Sequence, residues 1–300
     1  MKKSGSWLLP YLLVGLIWGC SFIFIKEGLE FLTPFGVAFV RCALGALTLY
    51  LIARFRKIEL PKDKKTLFYI WIVSLLLNVF PGVFFAYAET AVTSIFAGII
   101  NAVTPLATLV AILLVNRAEQ PKSAQLIGIF IGFIGVLVVL GAWRGVGENP
   151  WWAIGLLLAA VTGYGFSFPF TRRFVMPLGL KSEAIVATQL ILASVTLLPL
   201  FLINGRGDNG LSIAPVISMI GLGVFGSGFA YLWNFRVMEL AGSAIASSVT
   251  YLTPLVAVIV GVIFLNEKVT WYEPVGALIV LLGAAIAQER IKINRSSNRP

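Results

Sequence analysis

Residues 97–128 read AGIINAVTPLATLVAILLVNRAEQPKSAQLIG, and residues 246–276 read ASSVTYLTPLVAVIVGVIFLNEKVTWYEPVG. With one residue of slippage, Thr104-Pro105-Leu106 falls on Thr253-Pro254-Leu255, Glu119 on Glu267, and Gly128 and Gly135 on Gly276 and Gly283. Each stretch is a long apolar run, a short polar turn and the start of a second run. Chance supplies one such match, hardly all of them, so the chain is read as two copies of one unit.

Apolar runs on either side complete those units. A helix needs about 20 apolar residues to cross a bilayer. Runs of that size cover 7–26, 34–53, 67–88, 94–115, 123–142, 151–171, 182–203, 213–235, 243–265 and 271–289. That predicts an all-α polytopic membrane protein of ten transmembrane helices, five in residues 1–148 and five in 149–300. An odd number of spans repeated in tandem places the second copy upside down, and inverted five-helix repeats are a transporter architecture.

Composition agrees. At 59% hydrophobic and 12% charged residues, the chain is far more apolar than a soluble domain, which has roughly 45–50% apolar and 25% charged residues. A soluble enzyme and a disordered chain are both excluded. The start is read as a first span and not a cleavable leader, because bulky Trp18 suits neither small-residue cleavage pattern and the apolar run continues past it. Cys20 and Cys42 lie in apolar runs, which argues against a structural disulfide.

The net charge of +10 is explained by orientation, with no nucleic-acid partner. With the amino terminus in the cytoplasm, only Lys26, Arg144, Arg206 and Lys268 fall outside and Arg41 falls within a span. All the other Lys and Arg of the 23 lie inside. The positive-inside rule then puts both termini in the cytoplasm of a multi-pass inner or plasma membrane protein. Trp7, Trp71, Trp143, Trp151, Trp152, Trp271 and Tyr272 fall at span ends, as interfacial aromatics do.

Trp18-Gly19 in the first span, Arg41 in the second, the Thr-Pro helices four and nine, and the Glu-then-Gly patterns after them resemble EamA-type members of the drug/metabolite transporter superfamily. The resemblance covers essentially the whole chain. It implies export of amino acids, related metabolites or drugs through a central cavity bounded mainly by helices 1, 3, 4, 6, 8 and 9. Glu119-Gln120-Pro121 departs from the Glu-Arg/Lys-Leu more usual in that family.

Proline and glycine inside spans free backbone groups that lipid cannot satisfy, so they mark protein-lined cavities or packing kinks. Pro81-Gly82 in helix three, Pro105 and Pro254 in helices four and nine, and Gly221, Gly223, Gly226 and Gly228 in helix eight are the candidates for hinges. Mid-membrane polar and aromatic residues are the candidate substrate contacts: Trp18, Asn78, Asn101, Thr104, Tyr164, Ser167, Trp233, Asn234, Thr250 and Tyr251. Hydrogen bonding between helices is the alternative for each.

Arg41 joins them. Seven residues past Pro34, it lies about 10 Å inward from the outer end at 1.5 Å per residue. An intramembrane charge is a functional hypothesis by default. It either pairs with Glu89 or Glu27 near the same surface, the reading preferred here, or binds a substrate carboxylate. Gly128, Gly132 and Gly135, echoed by Gly276 and Gly283, form a small-residue face that predicts close packing within a monomer, with a homodimer contact as the second option. Glu119 and Glu267, at span ends, are assigned capping or loop-fixing roles.

The chain has no histidine, no Asp/Glu cluster within a span, no nucleophile motif and no P-loop. These absences predict no enzyme, no metal and no cofactor. The expectation is a secondary transporter exporting amino acids or related small metabolites by alternating access. A multidrug-type exporter of amphipathic compounds and a non-catalytic membrane scaffold or sensor are the alternatives. No acidic group occupies the centre of a span, leaving facilitated export, or proton exchange through peripheral Glu27 or Glu89.

Overall fold

The structure, a computed structural model, describes residues 6–139, 141–144, 149–207, 210, 212–256, 259 and 271–287. Glu267, the end of the ninth apolar run, Lys268 and the terminal cations Lys2, Lys3, Arg290, Lys292, Arg295 and Arg299 lie outside these residues.

Every named element is helical. Six helices are long and apolar enough to cross a membrane: α1 (Leu8–Gly28), α2 (Pro34–Phe55), α3 (Lys64–Ala88), α6 (Trp151–Leu178), α7 (Ser182–Asn204) and α8 (Ile213–Ala241). Shorter apolar segments fall between and after them. These are α4, in two pieces (Ser94–Asn101 and Thr104–Val115), α5 (Ser123–Val139), α9 (Ser243–Val256) and α10 (Tyr272–Ala287). Large apolar side chains such as Leu9, Phe55, Trp151, Ile203 and Ile213 are exposed, the arrangement of a bundle whose solvent is lipid.

Helix bounds depart from the apolar runs at one end of the bundle. α3 begins three residues early because Asp63 caps it, its Oδ2 accepting from the Thr66 N–H at 2.9 Å. The helix N-terminus holds this exposed carboxyl below its ordinary range, chiefly through that backbone hydrogen bond. α6 runs past 171 to Leu178 and α8 past 235 to Ala241. Both carry arginines (Arg172, Arg173, Arg236) beyond the apolar stretch, since hydropathy ends at the first charge and backbone hydrogen bonding does not. They stop at Gly179 and Gly242, with φ of +67° and +92°, conformations that favour glycine. We call this the basic end.

The small-residue face is used within the chain. A Cβ on Gly128 would come within 2.5 Å of the Gly283 carbonyl oxygen, and one on Gly283 within 2.4 Å of the Gly132 nitrogen. α5 and α10 therefore meet backbone to backbone. α2 packs on α7, α4 on α6 and α1 on α8, which joins the first half of the chain to the second along most of the core.

Candidate substrate cavity

Three of the helix-breaking prolines act alike. Proline has no N–H to give the carbonyl four residues earlier, so Pro81, Pro105 and Pro254 release the carbonyls of Leu77, Asn101 and Thr250. All three of those residues line one cavity. The Leu77 carbonyl accepts from the Tyr231 hydroxyl at 3.3 Å, and that of Thr250 from Thr253 Oγ1 at 2.8 Å. Around the prolines the helices change pitch: α3 has a π-turn at Leu75–Val79, α4 breaks after Asn101, and α9 tightens to a 3-10 turn at Ser248–Tyr251. The glycine-rich part of α8, Leu222–Phe229, is also π-helical, and its Gly226 carbonyl accepts from Trp18 Nε1 at 3.0 Å.

The cavity is walled by Trp18, Ser21, Phe22 and Ile25 of α1, Arg41 of α2, and Leu77 and Phe85 of α3. Asn101 and Thr104 of α4, Tyr164 and Phe168 of α6, Tyr231 of α8 and Thr250 of α9 complete it. The rings form an aromatic wall in two groups: Trp18 meets Tyr231 edge-on at 5.7 Å, while Phe22 lies 5.7 Å from Phe85 and Phe85 stacks on Tyr164 at 5.8 Å. Its volume is about 50 Å³, room for a few waters and far below the roughly 300–1,000 Å³ of ordinary ligand pockets.

Arg41 is 6% exposed. Its Nε donates to Ser227 Oγ at 3.1 Å. No carboxylate of the described residues stands within 4.0 Å of its guanidinium. The preferred expectation, an ion pair with Glu89 or Glu27, is therefore corrected: Arg41 is left charged, buried and facing the cavity with one neutral partner. Glu89 is fully buried nearby, but its Oε2 accepts from Ser94 Oγ at 3.2 Å and its Oε1 has no partner.

Of the residues singled out from sequence, the structure gathers Trp18, Arg41, Asn101, Thr104, Tyr164 and Thr250 in this cavity. Ser167 and Asn234 line an adjoining, smaller space with Gln189, which shares Leu77, Phe168 and Tyr231 with the cavity, and Asn234 Nδ2 donates to the Ala246 carbonyl at 3.0 Å. Asn78 ties α3 to α7, accepting from Gln189 Nε2 at 2.6 Å. Tyr251 is committed elsewhere, its hydroxyl donating to the Ile129 carbonyl at 2.7 Å and its ring lying against Gly132. Trp233 packs on Phe229 at 5.7 Å, outside the cavity. Sequence reasoning missed Tyr231, which follows the π-helical stretch Leu222–Phe229 of α8 and lines the cavity, and it chose Trp233, two residues on, by residue type and depth. The run of glycines just before it was the available signal.

At the basic end the two halves are stitched by Glu119. Its Oε1 accepts from the Ser243 N–H at 2.6 Å and Arg172 Nη1 at 3.0 Å, and its Oε2 from Ser243 Oγ at 2.8 Å and Asn116 Nδ2 at 3.3 Å. Arg173 adds a hydrogen bond to the Val115 carbonyl. Glu119 thus fixes a loop and caps α9, and it does so across the repeats.

Comparison with known proteins places this geometry in a family. The profile of the EamA-like transporter family matches twice, over residues 5–141 and 151–287. The chain is 28% identical over 249 residues to the uncharacterized inner membrane transporter YedA of Escherichia coli, covering 82% of this chain and 78% of that one. It is 28% identical to an uncharacterized transporter of Archaeoglobus fulgidus, over 95% and 98%, and 21% identical to protein PecM of Dickeya dadantii, over 91% and 89%. A solved crystal structure, 16% identical, shares the fold with a TM-score of 0.78 over 96% of this chain and all of that one. The chain belongs to the EamA-like transporter family, within the drug/metabolite transporters, and is a multi-pass inner membrane protein, which points to a transporter rather than an enzyme.

Proposed function

We propose that this protein is a secondary transporter that exports amino acids or related small metabolites by alternating access. In this reading ten transmembrane helices form two inverted repeats, residues 1–148 and 149–300, with both termini in the cytoplasm. It works as a monomer, since the glycine face that a dimer would use is occupied within the chain.

One observation carries the reading: Arg41, a buried cation, lines the cavity without an anionic partner among the described residues. Holding such a charge in a low-dielectric interior is costly, and its guanidinium suits a carboxylate, which it can grip with two parallel hydrogen bonds. The aromatic wall receives an apolar body, while Ser21, Asn101, Thr104 and Thr250 offer oxygens to an ammonium group. The cavity is too small for such a molecule as it stands, so loading requires the repeats to move apart, as alternating access demands.

The test compares metabolites in medium and cytoplasm of cells expressing wild type, Arg41→Ala or an empty vector. Carboxylate metabolites enriched outside with wild type alone support the reading. Wild type indistinguishable from the vector, despite confirmed insertion, overturns it. The aromatic wall itself favours a second reading, export of amphipathic drugs. That reading predicts that Arg41→Ala retains resistance to cationic amphiphiles.

A further inference from the structure

The charges around the opposite end of the cavity are arranged in an unusual way. Glu89, the first residue past α3, stands one helical turn beyond the cavity residue Phe85 and is 0% exposed. Three groups face it, and none of them neutralises it. Lys26 of α1 gives its ammonium to the Glu89 backbone carbonyl at 2.8 Å, so its charge acts on the carboxyl without a hydrogen bond to it. Arg41 of α2 is near enough for the charges to interact but donates to Ser227. Tyr164 of α6 brings a phenol, and its ring packs on Phe85. Among the described residues only the Ser94 hydroxyl reaches the carboxyl, and it is shared with the Phe22 carbonyl at 3.4 Å. An unpaired carboxylate with one empty oxygen is among the costliest things to bury, whereas the protonated acid is tolerated. Burial accordingly raises its proton affinity, opposed by Ser94, Lys26 and Arg41 in that order.

Resting on the transporter reading above, we infer that Glu89 is a proton-binding site of the transport cycle, and that its proton binds together with the substrate carboxylate at Arg41 rather than in exchange for it. The sign follows from the charges. Ionised Glu89 and a substrate carboxylate both seek the field of Arg41, so each disfavours the other. Protonating Glu89 leaves that field to the substrate, and a bound carboxylate cancels one of the two cations, Arg41 beside Lys26, that favour Glu89 ionisation. By reciprocity, each ligand strengthens the other. The coupled movement is then carboxylate and proton in the same direction, electrically neutral for a monoanion. An outward metabolite gradient would drive both out.

The proton site can be read without any substrate. Purified protein in lipid nanodiscs, titrated and followed by infrared difference spectroscopy, should show the C=O stretch of a protonated carboxylic acid at neutral pH, and Glu89→Gln should lose it. Ser94→Ala keeps the acid and should keep the band, moved to higher frequency by the lost hydrogen bond. This variant guards against a Glu89→Gln protein that fails to fold. Arg41→Gln imitates neutralisation by a bound carboxylate and should raise the titration midpoint. A wild type with no such band at neutral pH, or a midpoint that Arg41→Gln leaves unmoved or lowers, overturns the proposal. Because none of these readouts involves transport, their failure is distinct from failure of the exporter reading.

Discussion

Glu119, just after α4, accepts four hydrogen bonds from Asn116, Arg172 and both the backbone and side chain of Ser243. Glu89, just after α3 and at the other end of the bundle, accepts one, although it is more deeply buried. Equally, Arg172 is paired with a carboxylate at 3.0 Å, while Arg41 has only a serine. The two ends use the same residue types for different ends. Where charge is matched across the repeats, the chain is closed and held. Where charge is left unmatched around a cavity, it is available to something that arrives from outside.

The largest effect expected is at the unmatched end. Arg41→Ala should cut carboxylate export by about 100-fold, since truncating one partner of a buried charge pair costs about 2–5 kcal/mol and 1.4 kcal/mol is tenfold. Flux assays at matched expression read this, and unchanged flux would erase the distinction between the ends. Arg41→Lys keeps the charge but not the fork, and should fall between the two.

Next comes the matched end. Glu119→Ala removes the charged acceptor of the Ser243 N–H, Ser243 Oγ and Arg172. It should lower stability by about 2 kcal/mol, at the level of hydrogen bonds to a charged group and tempered by partial exposure of Arg172. Thermal unfolding in detergent measures it. Full stability would show that the repeats are held without this network. Gly128→Val, which drives a side chain into the Gly283 and Ala287 backbone, should cost a similar amount, about 1–3 kcal/mol, at a contact that carries no charge.

A smaller change is expected for Trp18→Phe, which keeps the ring against Tyr231 but loses the hydrogen bond to the Gly226 carbonyl. About 1 kcal/mol is at stake, and selectivity for aromatic substrates should change more than total flux. The smallest concerns Asp63, exposed at the basic end. Because its folded carboxyl titrates lower than its unfolded one, the cap contributes above the ordinary carboxylate range and is lost as pH falls through the depressed folded value. Asp63→Asn, whose amide oxygen still caps, should flatten that acid dependence while leaving transport at neutral pH unchanged.

Much of the bundle was legible from residues alone. Apolar length located the helices, and paired Thr-Pro-Leu motifs located the breaks, because the missing proline N–H is a local fact. Arg41 was conspicuous for the same reason, as charge in an apolar run is costly wherever the helix points. The partners were not legible. An ion pair with Glu89 was the natural expectation from depth in the membrane, yet Lys26 goes to the Glu89 backbone, Ser94 to one of its two carboxyl oxygens and Ser227 to the arginine. Tyr251 and Trp233 were chosen by residue type and depth, and both turned elsewhere. Asn78 found Gln189, 111 positions away.

The sequence by itself determined that this chain lives in a membrane, where its helices run and bend, and that its halves repeat, because hydropathy, proline and glycine act within a few residues of backbone. Only the tertiary structure decided which polar groups meet. The π-turns in α3 and α8 change which faces point inward, and hydrogen-bond partners are chosen among groups brought together from distant parts of the chain. Whether a buried charge is spent or left free therefore depends on packing that no single helix contains.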